Sequence, residues 1–467
     1  MGTLMGLMNL TNSALSADQE ALNITANNVA NQNTPGYTRE VATFQDGDTV
    51  SLNGYETGDQ SVSVTAVSQR DRVLEQMLQQ TTASAGQTSS RLTSLESIQN
   101  LFGLTSTSSS ASTTALGSAI DGFFTSLTSL SANPTDSATR EDVMSAAQTL
   151  VSAFNSASQG LDSETQTLNS QISTAAGQIN GLTSSIAKLN GQIEQLSPNQ
   201  DAGTLEDARQ QDILQLSAIL GVNQITTENN GVTLTTSSGA VLVGGSTAYS
   251  VTATSSGGNT ELVAGDPPTV QPDVTGGSIG GMMQARDQDI PSMESSLDQL
   301  AYALGTAVNT QNEAGDTPSG TAGTAIFSLP SSATGAAGQI SMATTNAADI
   351  ATASTSEGSS GTTNALALEN IGTSAIVSGE TADNFFAGFI GELGNTVSSA
   401  TTANTTAQTS MTQAQTTRDS LSAVSLDEEA QNLTQYQRSY EAAAKVFSIV
   451  NELLADTINL GSETTVS

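Results

Sequence analysis

The sequence predicts a mainly α protein with a β-rich outer domain: paired terminal helices forming a coiled coil, a long helical-bundle domain, and a small β domain inserted in the middle. Three observations carry that expectation. Apolar residues recur at helical spacing at both ends of the 467-residue chain. An Ile/Leu heptad runs from Leu161 to Leu196, and between Gly221 and Gly281 the apolar period falls to two.

At the N-terminus, Met8, Leu15, Leu22 and Val29 repeat every seven residues, with Leu4 one turn earlier, which predicts one stripe on a helix ending near Asn31. In Asn33-Thr34-Pro35-Gly36-Tyr37, Pro35 suits the second position of a type II turn and Gly36 supplies the positive φ of the third. Alternation through Val62, Val64 and Ala66 predicts a strand that pairs with Thr38 to Phe44. Helix is expected again from Arg70 to Phe102.

After Asn133-Pro134, Ile172, Ile179, Ile186 and Ile193 fall four residues after members of the series Leu161, Leu168, Ala175, Leu182, Leu189, Leu196. This seam is read as intramolecular core, with a short helix from Leu205 to Leu220 folding back on it. Alternating Val232/Leu234, Val241/Val243 and Tyr249/Val251 mark the β domain. Helix returns from Gly280 to Asn312 with a kink expected at Pro291. The Gly-, Ser- and Thr-rich stretch from Gly315 to Gly379 reads as further β and loop.

The C-terminal seam is the cleanest: Leu426, Leu433, Tyr440, Phe447 and Leu454 form one column, and Tyr436, Ala443 and Val450 a second. An isolated helix of this length is marginal in water, so it needs a partner, for which the N-terminal stripe is the candidate. Three units are therefore expected: 1–66 with 426–467 as a terminal helical domain, 67–220 with 281–314 and 380–425 as the bundle, and 221–280 with 315–379 as the outer β-rich domain.

Composition narrows the function. The net charge of −34, from 45 acidic and 11 basic residues, excludes binding through phosphates, so neither nucleic acid nor an anionic membrane is expected as a partner. Charged residues are 12% of the chain, about half the usual ~25%. With no Cys and no His, disulfides, most zinc sites and every Ser-His-Asp or Cys-His device are unavailable. The first basic residue is Arg39, so a cleaved secretory signal of the ordinary kind is not expected, and no apolar run reaches the ~20 residues that cross a bilayer.

Two catalytic patterns fail on chemical grounds. Gly276-Gly277-Ser278-Ile279-Gly280 matches a nucleophile elbow but has no His to act as base. Ser185-Ile186-Ala187-Lys188 matches S-x-x-K inside the coiled-coil seam. A glycan hydrolase would need two acids held about 5 to 10 Å apart in a cleft, and nothing in the spacing of the carboxylates marks such a pair. No enzyme, cofactor or metal is expected; a surface adhesin would leave the terminal motifs unexplained.

Those motifs are Asn27-Asn28-Val29-Ala30-Asn31 followed by Asn33-Thr34-Pro35-Gly36-Tyr37-Thr38-Arg39, and, at the far end, Glu429, Asn432-Leu433, Tyr436-Gln437, Tyr440 and Ala443-Ala444. Together they resemble the two terminal signatures of the flagellar rod, hook and hook-associated proteins. The interior resembles the hook–filament junction branch of that family: Phe123-Phe124, Asn133-Pro134, Arg140, then Leu205, Asp207 and Arg209, then Gly280-Gly281 through Arg286-Asp287, Leu297, Leu300 and Asn309. Flagellin, the nearest rival, has a different N-terminal signature, although a flagellin-like or other axial subunit is the alternative.

The resemblance implies a structural subunit outside the cell, exported by the flagellar type III apparatus with a cytoplasmic chaperone on its C-terminal region. It implies assembly as a homo-oligomeric ring between hook protein and a second junction protein. The residues expected to carry assembly are Asn27, Asn28, Asn31, Asn33, Pro35, Gly36, Tyr37, Leu433, Tyr436, Tyr440, Phe447, Val450 and Leu454. The middle is short, which bears on whether every outer domain of larger relatives is present.

Overall fold

The computed structural model describes residues 2–46, 49–52, 55–58, 62–104, 111, 114–196, 202–227, 230–271, 274–358 and 360–463. Its two ends meet: α1 (Gly2–Asn31) packs along α11 (Leu426–Glu463). The expected pairing is present, but the buried line of α1 differs from the expected stripe. Ala17, Ala21 and Ile24 are buried together with Thr11, Asp18, Thr25 and Asn28, whereas Val29 is 36% exposed and Met8, Leu15 and Leu22 are half-buried. Small side chains let a helix lie close to both its partner helix and a β ladder, so the contact line follows Ala and Thr rather than the larger Met and Leu.

The chain leaves α1 through a turn in which Tyr37 N donates to Thr34 O at 3.2 Å and Gly36 has φ 81°, the geometry expected for Pro35-Gly36. β1 (Glu40–Asp46) then pairs antiparallel with β4 (Val62–Ser68), from Glu40 opposite Ser68 to Asp46 opposite Val62. Between them, β2 (Thr49–Leu52) and β3 (Tyr55–Gly58) form a hairpin ladder of their own. The ladder of β1 and β4 lies against α1.

Asp71 caps α2 (Arg72–Leu101), accepting from Val73 N at 2.8 Å and Leu74 N at 3.2 Å, so two of the helix's four orphan donors are satisfied. α3 (Ala115–Ala132) packs on the 60-residue α4 (Ser137–Leu196), and α5 (Gly203–Ile219) folds back along α4. Ile172, Ile179, Ile186 and Ile193 are all 0% exposed. The Leu column drifts from fully buried at Leu161 to 41% exposed at Leu196. A straight α-helix falls about 20° short of closing each seven-residue repeat, so one column of a long heptad rotates out of the contact.

The β-rich middle comprises several small sheets. Strands β5 (Val222–Thr226), β6 (Val232–Thr236), β7 (Val241–Gly244) and β8 (Thr247–Ala248) form one antiparallel sheet in chain order; β9 (Thr252–Ser256), β10 (Asn259–Ala264) and β11 (Thr269–Gln271) form another. They are tied to the second half of α4, where Asn180 exchanges two 2.7 Å hydrogen bonds with the backbone of Val251 and Asn190 donates to Val232 O at 2.8 Å.

The helix expected from Gly280 starts as α6 (Gly277–Gln284) and breaks at a π turn over Ala285–Asp289 before α7 (Ile290–Glu313). Pro291 has no N–H to donate and its ring crowds the carbonyl four residues earlier, which opens the turn just before it. Beyond α7 come two-residue strands β12 (Gly315–Asp316), β13 (Phe327–Ser328), β14 (Ser341–Met342) and β15 (Ala353–Ser354), with short helices α8 (Ala336–Gln339) and α9 (Thr363–Asn370). This segment packs on the first half of α4, where Asn155 donates to Ile340 O at 3.2 Å. Finally α10 (Ala382–Ser422) returns along α2, and from Ala400 onwards it buries a narrow line, Ala400, Ala407 and Ala414 spaced by sevens, followed by Arg418 and Ser422. The helical core is continuous and contains the fully buried Phe123, Phe154 and Phe327 and the nearly buried Phe386.

Both enzyme-like patterns have structural roles. A Cβ at Gly277 would lie 2.3 Å from the carbonyl carbon of Ile219, and one at Gly281 would lie 2.2 Å from Gln87 O, so glycines there let α6 touch α2 and the end of α5. Ser185 donates to Asp212 at 2.6 Å and joins α4 to α5. Among the described residues no group of carboxylates could hold a metal, and no helix is long and apolar enough to cross a membrane.

Candidate assembly junction

Where α1, the turn, α2, α5, α10 and α11 converge, a buried polar network ties the terminal helices to the bundle. Asn28, 1% exposed, is its centre. Its amide nitrogen donates to Glu40 O at 2.7 Å and to Glu429 Oε2 at 3.2 Å; its oxygen accepts from Glu40 N at 3.0 Å and from the Tyr37 hydroxyl at 2.9 Å. All four hydrogen-bonding directions of the side chain are used, two on Glu40 of β1, one on Tyr37 of the turn and one on Glu429 of α11, so one residue ties the end of α1 to the turn, the strand that follows and the C-terminal helix.

Tyr37 must stay protonated to donate to Asn28. Burial, followed by the nearby carboxylates of Glu40, Asp207 and Glu429, pushes its hydroxyl far above the ordinary tyrosine range. Thr38 binds Asp207 twice, through its backbone N at 2.8 Å and its hydroxyl at 2.6 Å. Asp207 also meets Arg70, whose other nitrogen donates to Glu206 at 3.0 Å.

Arg39 reaches across to α11, donating to Glu429 Oε1 at 2.7 Å and pairing with Glu428. Arg418, near the end of α10, donates to Glu75 at 3.1 Å, to Gly36 O at 2.9 Å and to Asp419 at 3.0 Å. Burial alone would lower its pKa, but Glu75 and Asp419 more than offset this and keep the guanidinium charged. The backbone continues the lock: Arg39 N donates to Ser422 O at 2.9 Å, and Gln69 N donates to Arg39 O at 2.9 Å.

Of the residues expected from sequence, Asn28, Gly36 and Tyr37 lie within this network. Asn31 caps its own helix end, donating to Asn27 O at 3.1 Å, while Asn27, Asn33 and Pro35 are exposed. On α11, Val450 is 2% exposed and Leu433, Tyr436, Phe447 and Leu454 are half-buried, with the Tyr436 ring 5.9 Å from that of Phe44. Tyr440 is 38% exposed. Sequence reasoning did not assign Glu75, Arg70, Asp207, Arg418 or Glu429 any role in joining the parts. Their type was the available signal, because a buried Arg or Glu in so sparsely charged a chain requires a partner.

The same face of α11 that is not covered by α1 is apolar. Val446, Ile449 and Leu453 are each at least 42% exposed, at helical spacing. Exposed contiguous apolar surface of this kind marks a binding face.

Comparison with known proteins follows the same division. The family described as "Flagella basal body rod protein" matches residues 8–38, and "Flagellar basal body rod FlgEFG protein C-terminal" matches 418–460. These are the two segments that the network joins. "Flagellar hook-associated protein FlgK helical domain" matches 95–327. Flagellar hook-associated protein 1 of Bacillus subtilis strain 168 is 30% identical over 98% of both chains. The chain belongs to the flagellar hook-associated protein 1 family. Hook-associated protein 1 of Escherichia coli K12 is 28% identical over 70% of this chain and 60% of its own length. That of Salmonella typhimurium LT2 gives the same figures, so the chain spans about 60% of the length of these enterobacterial relatives. The solved structure of the flagellar hook junction protein FlgK from Burkholderia pseudomallei shares the fold, with a TM-score of 0.67 at 20% identity over 74% of this chain and 100% of that one.

Proposed function

We propose that this hook-associated protein 1 family member is a structural subunit that joins the flagellar hook to the filament. The carrying observation is the terminal helix pair. It is fixed to the bundle by a buried polar lock, yet it leaves the face of α11 that carries Val446, Ile449 and Leu453 open to a neighbour. In a ring of copies that face would be covered by the next terminal pair, which supplies the apolar burial that a two-helix layer lacks on its own.

In this reading residues 1–66 with 426–467 form the inner assembly unit. Residues 67–220 with 281–314 and 380–425 form the rigid bundle, and 221–280 with 315–379 the outer surface. The partners are hook protein on one side and a second junction protein on the other, with a cytoplasmic chaperone holding the C-terminal region before export. Working outside the cell suits a chain without Cys and with few cations.

Electron microscopy of a strain lacking the chain tests the proposal. Hooks without filaments, with filament protein lost to the medium, are expected; normal filaments on such cells would contradict it.

A further inference from the structure

The heptad stripe of α1, Leu4, Met8, Leu15, Leu22 and Val29, is only partly covered by the chain itself. Asp18 lies on its edge, three residues after Leu15 and four before Leu22, spacings that put all three on one face. The residue is 4% exposed, and no hydrogen bond or ion pair reaches its carboxylate from the described residues. Burial, then Glu429 against the pull of Arg39, and then Asp18 raise the pKa of the Tyr436 hydroxyl, so the Asp18 carboxylate stands near the seam between α1 and α11. A carboxylate this enclosed is rarely left without a cation or donors.

The terminal unit has few cations to offer. In residues 1–66 and 426–467 only Arg39, Arg438 and Lys445 are basic, and Arg39 is held by Glu428 and Glu429. Arg438 and Lys445 are exposed and in no ion pair among the described residues. They alternate with Ala442 and Ile449 at spacings of four, three and four, so both border the open apolar stripe that Val446, Ile449 and Leu453 form. One helix thus presents apolar residues around an acid, and the other apolar residues beside cations. Within one copy these faces do not meet, because α11 turns Val450 towards α1 and its cations outward.

Their axial positions also match. The end of α1 meets the start of α11 through Asn28 and Glu429, and the helices pack along each other, so they run antiparallel. Counting from that bond, Asp18 is ten positions back and Arg438 nine positions on, which at about 1.5 Å per residue gives heights of about 15 and 14 Å. Leu15 and Ala442 are both thirteen positions away, Met8 and Ile449 twenty, and Leu4 and Leu453 twenty-four. Copies side by side at one level therefore set apolar residues opposite apolar ones and a cation opposite the unpaired acid. At a net charge of −34 per copy, such a pairing also offsets the repulsion between neighbours.

We propose that α11 of each copy docks on α1 of the next, with Arg438 in contact with Asp18; this rests on assembly into a ring. The contact uses a different face on each partner, as a ring of more than two copies requires. The chain has no Cys, so introduced pairs report cleanly. Leu15→Cys and Ala442→Cys are co-produced as separate full-length chains, and flagella are isolated and oxidised. Leu22→Cys with Gln435→Cys, each six positions from the lock, is a second pair at another height. A disulfide-linked dimer is expected from each mixture and from no variant alone. Asp18→Asn should leave the free chain at least as resistant to proteolysis as the unsubstituted one, yet lower its retention on flagella about three- to ten-fold. Arg438→Asp should lower retention likewise, with recovery when Asp18→Arg is added to the same chain. Incorporated variants that give no mixed dimer at either height, or dimers of one variant with itself, would overturn the docking. Unchanged retention of Asp18→Asn, or weaker protection of the free variant, would overturn the pairing of Asp18 with Arg438. Absence of the unsubstituted chain from flagella would instead defeat the assembly reading itself, and this contact with it.

Discussion

Asn28 and Glu429 lie 401 positions apart in sequence, yet their side chains are joined by a 3.2 Å hydrogen bond in a place where each is 1% exposed. Arg39 completes the contact by holding the other oxygen of Glu429 at 2.7 Å. A carboxylate buried this deeply is stable only while both partners remain, so the two ends of the chain report on each other.

Asn28→Leu should therefore cost about 2–4 kcal/mol, because it leaves both backbone groups of Glu40 and the Tyr37 hydroxyl without their partner. The loss should be confined to the terminal unit. Limited proteolysis near Arg39 and Arg438 should accelerate strongly, while the thermal transition of the bundle moves little. A uniform loss across the whole protein would contradict the lock being local.

At Gly36 the limit is backbone conformation, since a Cβ there meets nothing within 4 Å but φ is 81°. A β-branched residue is strained in that region by about 1–2 kcal/mol, and Asn much less. Gly36→Val should weaken protection of the terminal helices against proteolysis and reduce motility; Gly36→Asn should be milder on both measures. Equal effects would point to contact rather than conformation.

Acid should stabilise one part of the bundle. Burial, then Asp162 and Asp298 nearby, raises the pKa of Glu294, and burial with Asp121 raises that of Asp383. A carboxyl with a raised folded-state pKa binds its proton more readily when folded. Its stabilising contribution is full below the unfolded pKa and is lost as pH rises through the folded value. The thermal midpoint of the bundle should rise as pH is lowered from neutral towards 5, and Glu294→Gln should flatten that slope. An unchanged slope in the variant would assign the dependence elsewhere.

How much of this was legible in sequence depended on whether the signal was local. The Pro35-Gly36 turn, the pairing of β1 with β4 and the Ile column of α4 follow from spacing within short windows. The polar lock does not, because Thr38 meets Asp207 and Glu75 meets Arg418 only after the chain has crossed the molecule. The buried line of α1 was misread because close packing selected Ala17 and Ala21, whose small side chains carry little hydrophobic signal. For the same reason the Ala400, Ala407, Ala414 line of α10 was not singled out, although its segment was assigned to the bundle.

The central claim is that the seam of α11 is an assembly device, and a comparison of equal charges at two positions tests it. Val450 is 2% exposed in the seam, whereas Thr434 is on the outside with its hydroxyl bonded to Ala430 O at 2.9 Å. Val450→Asp would bury a carboxylate without a cation, costing several kcal/mol, roughly 3–5, unless the pair opens. Secreted and flagellum-bound chain are to be measured separately for Val450→Asp and Thr434→Asp. The expected result is that both are secreted and only Thr434→Asp is retained on the flagellum; retention of Val450→Asp at the level of the unsubstituted chain would contradict the claim.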